Sequence, residues 1–368
     1  MGENLSLEGI LVEATYTDNS KKTVNVSPEN ASGFDASKPA EAQVITITVE
    51  KLTATFTVNI LPMRVTNGTL IEVPKGYKTL EIPVGVTALK ENLFRQNTEI
   101  EKVILPEGLK SIPQMTFAWS SVREVTFPST LQNIEKHAFY GCKNLKTVDL
   151  SKTQLKKITE ETFVGAGVET LIMPQTLQEI GDQAFMDNAK LTHLELPYGL
   201  RSIGVEAFRK SGLKNLNLPN TIHNLAERAF YYCGNLETVT VFGDKPAETP
   251  ENVTSKMGNE CFTGGVNIVA FAIPGGINKI ETSVIVGCHK ITQLFVPSSV
   301  KKIGFGAFDN SGVMEVIIES ENPAEAETFS NAWYGFKRGA TLKVPANSVE
   351  KYKQANGWKE FQATIVAK

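Results

Sequence analysis

The side chains able to do chemistry in this sequence are few and scattered. Four cysteines and four histidines occur among 368 residues. Cys142, Cys233 and Cys288 each follow Phe139, Phe230 or Ile285 by three positions, so they hold one place in a recurring pattern, and Cys261 stands directly before Phe262. No CxxC pair is present, so neither a zinc site nor a redox centre is expected. His137, His193, His223 and His289 fall at different places in the pattern and no HExxH occurs, which argues against a metal site. Asp309-Asn310-Ser311-Gly312 has the residue types of a calcium loop, yet Arg209-Lys210-Ser211-Gly212 fills the same slot elsewhere, so the segment reads as a turn. Neither a phosphate-binding P-loop, a G-x-S-x-G elbow nor a strand-linked G-x-G-x-x-G appears. Glu124, Asp149 and Glu195 share an exposed face, but nothing sets two of them in the contrasting environments that acid–base catalysis needs. No catalytic, cofactor-binding or metal-ligating residue is assigned, and the chain is not expected to be an enzyme.

The pattern that orders these residues is a repeat of 22 or 23 residues. Units begin at Val122, Leu145, Val168, Leu191, Leu213 and Ile291, with weaker copies at Tyr77, Ile100, Leu236, near Ile268 and at Val313. They share L-x-x-V-x-L-P-x-x-L-x-x-I-x-x-x-A-F. Pro83, Pro106, Pro128, Pro174, Pro197 and Pro219 march in step, with Ser151 standing in once, and Phe94, Phe117, Phe139, Phe163, Phe185, Phe208 and Phe230 march beside them. The L-x-x-V-x-L part alternates like a half-buried strand, and Pro, which lacks an N–H donor, ends it. One such coil cannot bury its apolar face alone, whereas a stack buries a continuous core. At ~4.8 Å per parallel strand, the four coils between Cys142 and Cys233 span about 19 Å, far beyond the ~7 Å between Cα atoms that a disulfide tolerates. These are core thiols.

The L-P-x-x-L-x-x-I-x-x-x-A-F unit resembles the BspA-like leucine-rich repeat family, with Pro rather than Asn after the strand, over roughly residues 70 to 345. The resemblance implies a mainly β fold: a right-handed leucine-rich repeat solenoid of about ten coils of 22–24 residues, curved, with its strands on the concave side. Residues 243 to 265 break the period, and Ile285 stands where Phe is expected; the break is read as a decayed coil in preference to a functional loop.

Residues 1–66 form a separate module. Ile10 to Thr17, Thr23 to Val26, Gln43 to Glu50 and Thr53 to Ile60 are rich in Val, Ile and Thr and read as strands, with a hairpin at Glu50-Lys51. This stretch resembles the group-three bacterial immunoglobulin-like domain, a small β-sandwich, here lacking its first edge strand. Residues 67–345 are the solenoid and 346–368 a capping segment, with a short helix from about Ser348 to Ala355 and Trp333, Trp358 and Phe361 closing the last coil.

What remains to carry function is a surface. The third and fifth template positions should face outward on the concave sheet, and the candidate binding residues are Lys102, Ile104, Glu124, Thr126, Thr147, Asp149, Thr170, Ile172, His193, Glu195, Asn215, Asn217, Gln293 and Phe295. Thr79, Glu81, Thr238, Thr240, Glu315 and Ile317 hold the same positions. Ile104, Ile172, Phe295 and Ile317 are apolar where water is expected. A glycan would call for exposed aromatic platforms, and only Phe295 offers one on this face, which favours a protein partner. The acid excess, 40 Asp and Glu against 37 Lys and Arg, lies wholly within residues 1–66, so the solenoid has no net field for nucleic acid or anionic lipid. Apolar runs such as Val269 to Ile273 fall far short of the ~20 residues that span a bilayer. The chain opens without the charged and apolar regions of a signal peptide, as expected of a mature form from which one has been removed. The family resemblance implies an extracellular or cell-surface binding protein of adhesin type, monomeric, whose partners are host matrix proteins, other cells or glycans. The alternatives are a scaffold in an envelope complex and an accessory of carbohydrate utilisation.

Overall fold

The computed structural model describes residues 11–15, 21–25, 31–33, 40–49, 52–60, 63–244, 255–326, 340–358 and 364–368. Two compact units are present: Met1–Arg64 with Glu72–Pro74, and Val65–Ile71 with Lys75–Lys368.

In the first unit Leu11–Thr15 pairs antiparallel with Lys21–Asn25, and Ala40–Val49 pairs antiparallel with both Ala31–Ser32 and Leu52–Ile60. Val49 lies opposite Leu52, and residues 50 and 51, where the hairpin turn is expected from the sequence, fall outside the described residues. Alternation explains the register: Ile45 and Ile47 are buried, Thr46 between them is half-buried, and Val44 and Thr48 on either side are exposed. The strand expected from Gln43 begins earlier, at Ala40, with a register irregularity between Ala40 and Gln43.

The second unit is a β-solenoid of about twelve turns. On one side run short parallel ladders: Thr79–Glu81, Lys102–Ile104 and Glu124–Thr126; Thr147–Asp149 and Thr170–Ile172; Asn215–Pro219, Thr238–Phe242 and Ala270–Phe271; then Gln293–Val296, Glu315–Ile318, Thr341–Val344 and Ile365–Ala367. On another side, eight two-residue strands from Lys157–Ile158 to Glu325–Ala326 form one parallel sheet. The count exceeds ten because Thr341–Val344 and Ile365–Ala367 extend the stack without carrying the Pro-x-x-Leu signature. The prolines open a turn after each strand: the carbonyls of Pro106, Pro128, Pro174, Pro197 and Pro219 each accept the amide three residues on.

The phenylalanines make the spine. Phe94, Phe117, Phe139, Phe163, Phe185, Phe208, Phe230 and Phe262 stack face to face, with centroids 4.7 Å apart at the first pair and 5.4 Å at the widest. Around each ring the backbone turns sharply. The residues two before and two after Phe take positive φ in coil after coil, as at Met115 and Trp119, Gln183 and Asp187, or Glu206 and Lys210. Left-handed backbone costs a non-glycine residue roughly 1–2 kcal/mol, so inter-coil amide bonds such as Phe185 N–H to Ala207 O and Asp187 N–H to Arg209 O must hold it. Serine and glycine close the same turns at Ser211-Gly212 and Ser311-Gly312: a Cβ on Gly212 would lie 2.1 Å from Ala189 O, so only glycine fits.

The break at 243 to 265 is not a decayed coil. Phe230 and Phe262 stack at 5.1 Å although they are 32 residues apart, and Asn224 is in register with Lys256. Residues 255–265 therefore supply a complete return arm, with Cys261-Phe262 in the A-F place, and the surplus lies between Gly243 and Ser255. Ile285 occupies the next Phe place, fully buried. At the C-terminal end the helix is Val349–Gln354 after a 3₁₀ turn at Ala346–Ser348. Trp358 is buried and its indole N–H donates to Ala324 O at 2.8 Å; Trp333 and Phe361 fall outside the described residues.

Candidate functional site

The cysteine place proves to be a hydrogen-bonding rung. The Cys142 thiol donates to Phe117 O at 2.9 Å, Cys233 to Phe208 O at 3.2 Å and Cys288 to Phe262 O at 3.5 Å, each reaching the coil before. Asn188 does the same work in its coil: its amide donates to Phe163 O and Phe185 O at 2.8 and 3.0 Å, and its carbonyl accepts Val168 N–H at 3.0 Å. All four cysteines are free and buried. Burial pushes the thiols up, Cys142 and Cys288 to about 12 and Cys233 to about 11, which leaves them protonated and poor nucleophiles. Of the histidines, His137 Nε2 meets Glu161 Oε2 at 2.7 Å, while Lys136 holds the other carboxylate oxygen at 2.8 Å. Burial, helped by Arg201, lowers the pKa of His223. Among the described residues no group of three or more His, Cys, Asp or Glu could hold a metal.

The strand side presents the candidate residues much as their alternation predicts. Val103, Val125, Val148, Leu171, Leu194, Leu216 and Leu294 point inward and are buried. Glu124, Thr126, Thr147, Asp149, Thr170, Ile172, Asn215, Asn217, Gln293 and Phe295 are exposed; Lys102 and Ile104 are only half-buried. His193 and Glu195 are exposed as well, 3.4 Å apart, but their segment forms no strand ladder, which interrupts the sheet between Thr170–Ile172 and Asn215–Pro219. The strand position assigned to His193 is corrected accordingly.

Two parts of this face differ. In the N-terminal coils the outward charges are paired from coil to coil: Lys102 with Glu124 at 2.7 Å, and Glu101 with both Lys78 and Arg123. Bonding to Lys78, aided by Arg123, holds the Glu101 carboxyl below the usual range. In the middle Thr238 and Thr240 donate to Asn215 and Asn217 at 2.7 and 3.0 Å. In the C-terminal coils the fifth-position row runs Ala272, Phe295, Ile317, Lys343, Val366 in register. Phe295 and Val366 are 42% and 40% exposed, and Val269 and Met314 add open apolar surface at the entries of their strands. The polar groups beside this row are already satisfied, because Glu315 takes both the Lys343 ammonium and the Gln293 amide, which lowers its pKa. Sequence reasoning missed Val269, Met314 and Val366. The first two sit one place before the strand alternation begins, and Val366 belongs to a strand without the repeat template.

The BspA type leucine-rich repeat region matches in six copies over residues 75–192 and 178–315, and the group-three bacterial immunoglobulin-like domain over residues 1–60. The chain belongs to the BspA-type leucine-rich repeat family. No curated protein matches it. Solved structures similar to this family member include a leucine-rich repeat protein from Bacteroides ovatus, at 19% identity over 81% of this chain and 90% of that one, TM-score 0.40. A leucine-rich cell surface protein from Faecalibacterium prausnitzii matches at 16% identity over 92% and 93%, TM-score 0.39. The pneumococcal vaccine antigen PcpA matches at 13% identity over 88% and 95%, TM-score 0.42. Among the described residues no helix is long and apolar enough to cross a membrane.

Proposed function

We propose that this chain is a non-enzymatic binding protein of the bacterial cell surface, of adhesin type, that takes an extracellular protein partner on its strand face. The observation that carries the reading is the row Ala272, Phe295, Ile317 and Val366. Ala272, Phe295 and Ile317 are in register on adjacent strands, Lys343 follows them with its ammonium turned to Glu315, and Val366 continues the row beyond it. Such a strip can be dried by a partner without stranding a polar group, the condition for an interface centre. The paired charges of the N-terminal coils fit a solvated rim. Membership of a repeat family with cell-surface members and the immunoglobulin-like module at the N-terminus support the location and a spacer role for that module.

The test is label-free binding of the whole chain to an array of matrix proteins and glycans, beside Phe295→Asp and a Lys102→Ala, His193→Ala double variant. Saturable binding to a protein that is lost in Phe295→Asp and kept in the double variant supports the reading and its placement. Binding abolished only by the double variant moves the site to the N-terminal coils. No binding to any probe by the folded parent overturns the adhesin reading in favour of a scaffold with an endogenous partner.

A further inference from the structure

The residue two places after each spine phenylalanine forms a column along one edge of the solenoid, knit by inter-coil amide bonds: Trp119 N–H to Tyr140 O, Gly141 N–H to Val164 O, Gly165 N–H to Met186 O, and so on to Gly287 N–H and Asn310 O. Within this column one motif occurs twice. Trp119 is followed in the next three coils by Gly141, Gly165 and Asp187; five coils after Trp119, Tyr232 is followed by Gly264, Gly287 and Asn310.

The two copies share a geometry as well as an order. In each, the aromatic ring lies down on the first glycine: a Cβ on Gly141 would meet Trp119 Cδ1 at 2.7 Å, and one on Gly264 would meet Tyr232 Cδ1 at 3.0 Å. In each, the second glycine faces open space. A Cβ on Gly165 would meet nothing within 4 Å, and one on Gly287 would meet only Gly264 N at 3.9 Å. A planar oxygen-bearing side chain, the exposed Asp187 or Asn310, stands one coil further. The rings stay accessible, Trp119 at 42% and Tyr232 at 55%. Neighbours fix them: Arg95 sits 5.2 Å over the indole and Tyr140 is tilted at 5.2 Å, while Tyr231 stands edge-on to Tyr232 at 4.4 Å. Positive φ along the column favours Gly, Asp and Asn at these places; it does not call for the exposed ring that precedes them in each copy.

A shallow trough with an aromatic wall, a bare backbone floor and a carboxamide or carboxylate at its far end is an amphipathic surface. It fits a ligand with an apolar C–H face and a rim of hydroxyls. We propose that these two troughs are glycan subsites, each seating one sugar over Gly165 or Gly287, with hydroxyls donating to Asp187 Oδ or Asn310 Oδ1. The chemistry common to both copies is an oxygen acceptor, charged in one and neutral in the other, so the class is a neutral pyranose and not a sulfated or uronic one. Five coils at ~4.8 Å place the copies roughly 24 Å apart, so a single polysaccharide strand reaches both and its second contact becomes intramolecular. This edge is separate from the strand face, and the aromatic platforms missing there are found here.

The experiment titrates the full chain with long neutral glucan, mannan and xylan polymers and with their tetrasaccharides, by calorimetry. It is run on the parent, on Gly165→Asn, on Gly287→Asn and on the pair combined. Asparagine tolerates positive φ, so these variants fill the troughs while keeping both rings, and circular dichroism and melting verify the fold. The expected result is two tetrasaccharide sites per chain, one in each single variant and none in the double. Polymer binding should weaken at least 10-fold when either trough is filled. No saturable binding of any neutral glycan, or a folded double variant that binds as the parent does, overturns the proposal. Phe295→Asp serves as the control: it should leave glycan binding unchanged, so failure here and failure of the strand-face reading are told apart.

Discussion

The spine side and the strand side of each coil are built from the same repeat but under different constraints. On the spine side, eight phenylalanine rings superimpose within a narrow range of spacings, and the flanking residues accept left-handed backbone whether they are Glu, Lys, Trp or Tyr. On the strand side only the inward Val or Leu is held, and the outward positions run through Lys, Glu, Thr, His, Asn, Gln and Phe. Stability is concentrated where the chain repeats itself, and recognition is free to reside where it does not.

The sharpest way to break that comparison is Phe185→Ala. Its ring is fully buried between Phe163 and Phe208 at 5.2 and 5.3 Å, and its loss should cost about 3–5 kcal/mol in urea unfolding. A loss below about 1 kcal/mol would show that the spine is not where stability lies. Asn188→Ala comes next, at about 1–3 kcal/mol, because it strands Val168 N–H and two buried carbonyls; Asn188→Ser should recover part of it, as Ser211 fills that place elsewhere. In the opposite direction, Lys210→Gly should raise stability by about 0.5–1 kcal/mol by relieving a φ of 55° at an exposed position.

A pH titration sharpens the electrostatic part. Bonding to Lys136, with His137 beside it, depresses the pKa of Glu161 below its ordinary 4.5. Its contribution is therefore present above that value and lost as pH falls through the lower folded one. Glu161→Gln should flatten the acid limb of the stability curve and leave the neutral range little changed. The smallest effect is expected from Thr170→Ala on the strand face, within about 0.5 kcal/mol; a larger cost would mean the outward rows carry stability too.

The repeat, the inward columns and the core thiols were legible in the sequence because each rests on periodicity, and burial follows periodicity. The left-handed turns were not: no residue type marks them, since tertiary amide bonds override local preference at Glu206, Arg228 and Tyr232 alike. The break after Phe242 was misread because an inserted stretch and a lost coil both disturb the period, and only the stacking of Phe262 on Phe230 separates them. Among the candidate residues, Phe295 and Ile172 could be placed by alternation, whereas the pairing of Glu315 with Lys343 spans coils of different length and needed the register.

The four thiols have a further consequence. They sit at four different heights along the stack, in coils entered at Cys142, Cys233, Cys261 and Cys288, each sealed from solvent. None is crosslinked, so no disulfide holds the solenoid together. Each sulfur can react only when its own coil opens, so labelling kinetics resolved by peptide would report where along its length the molecule frays first.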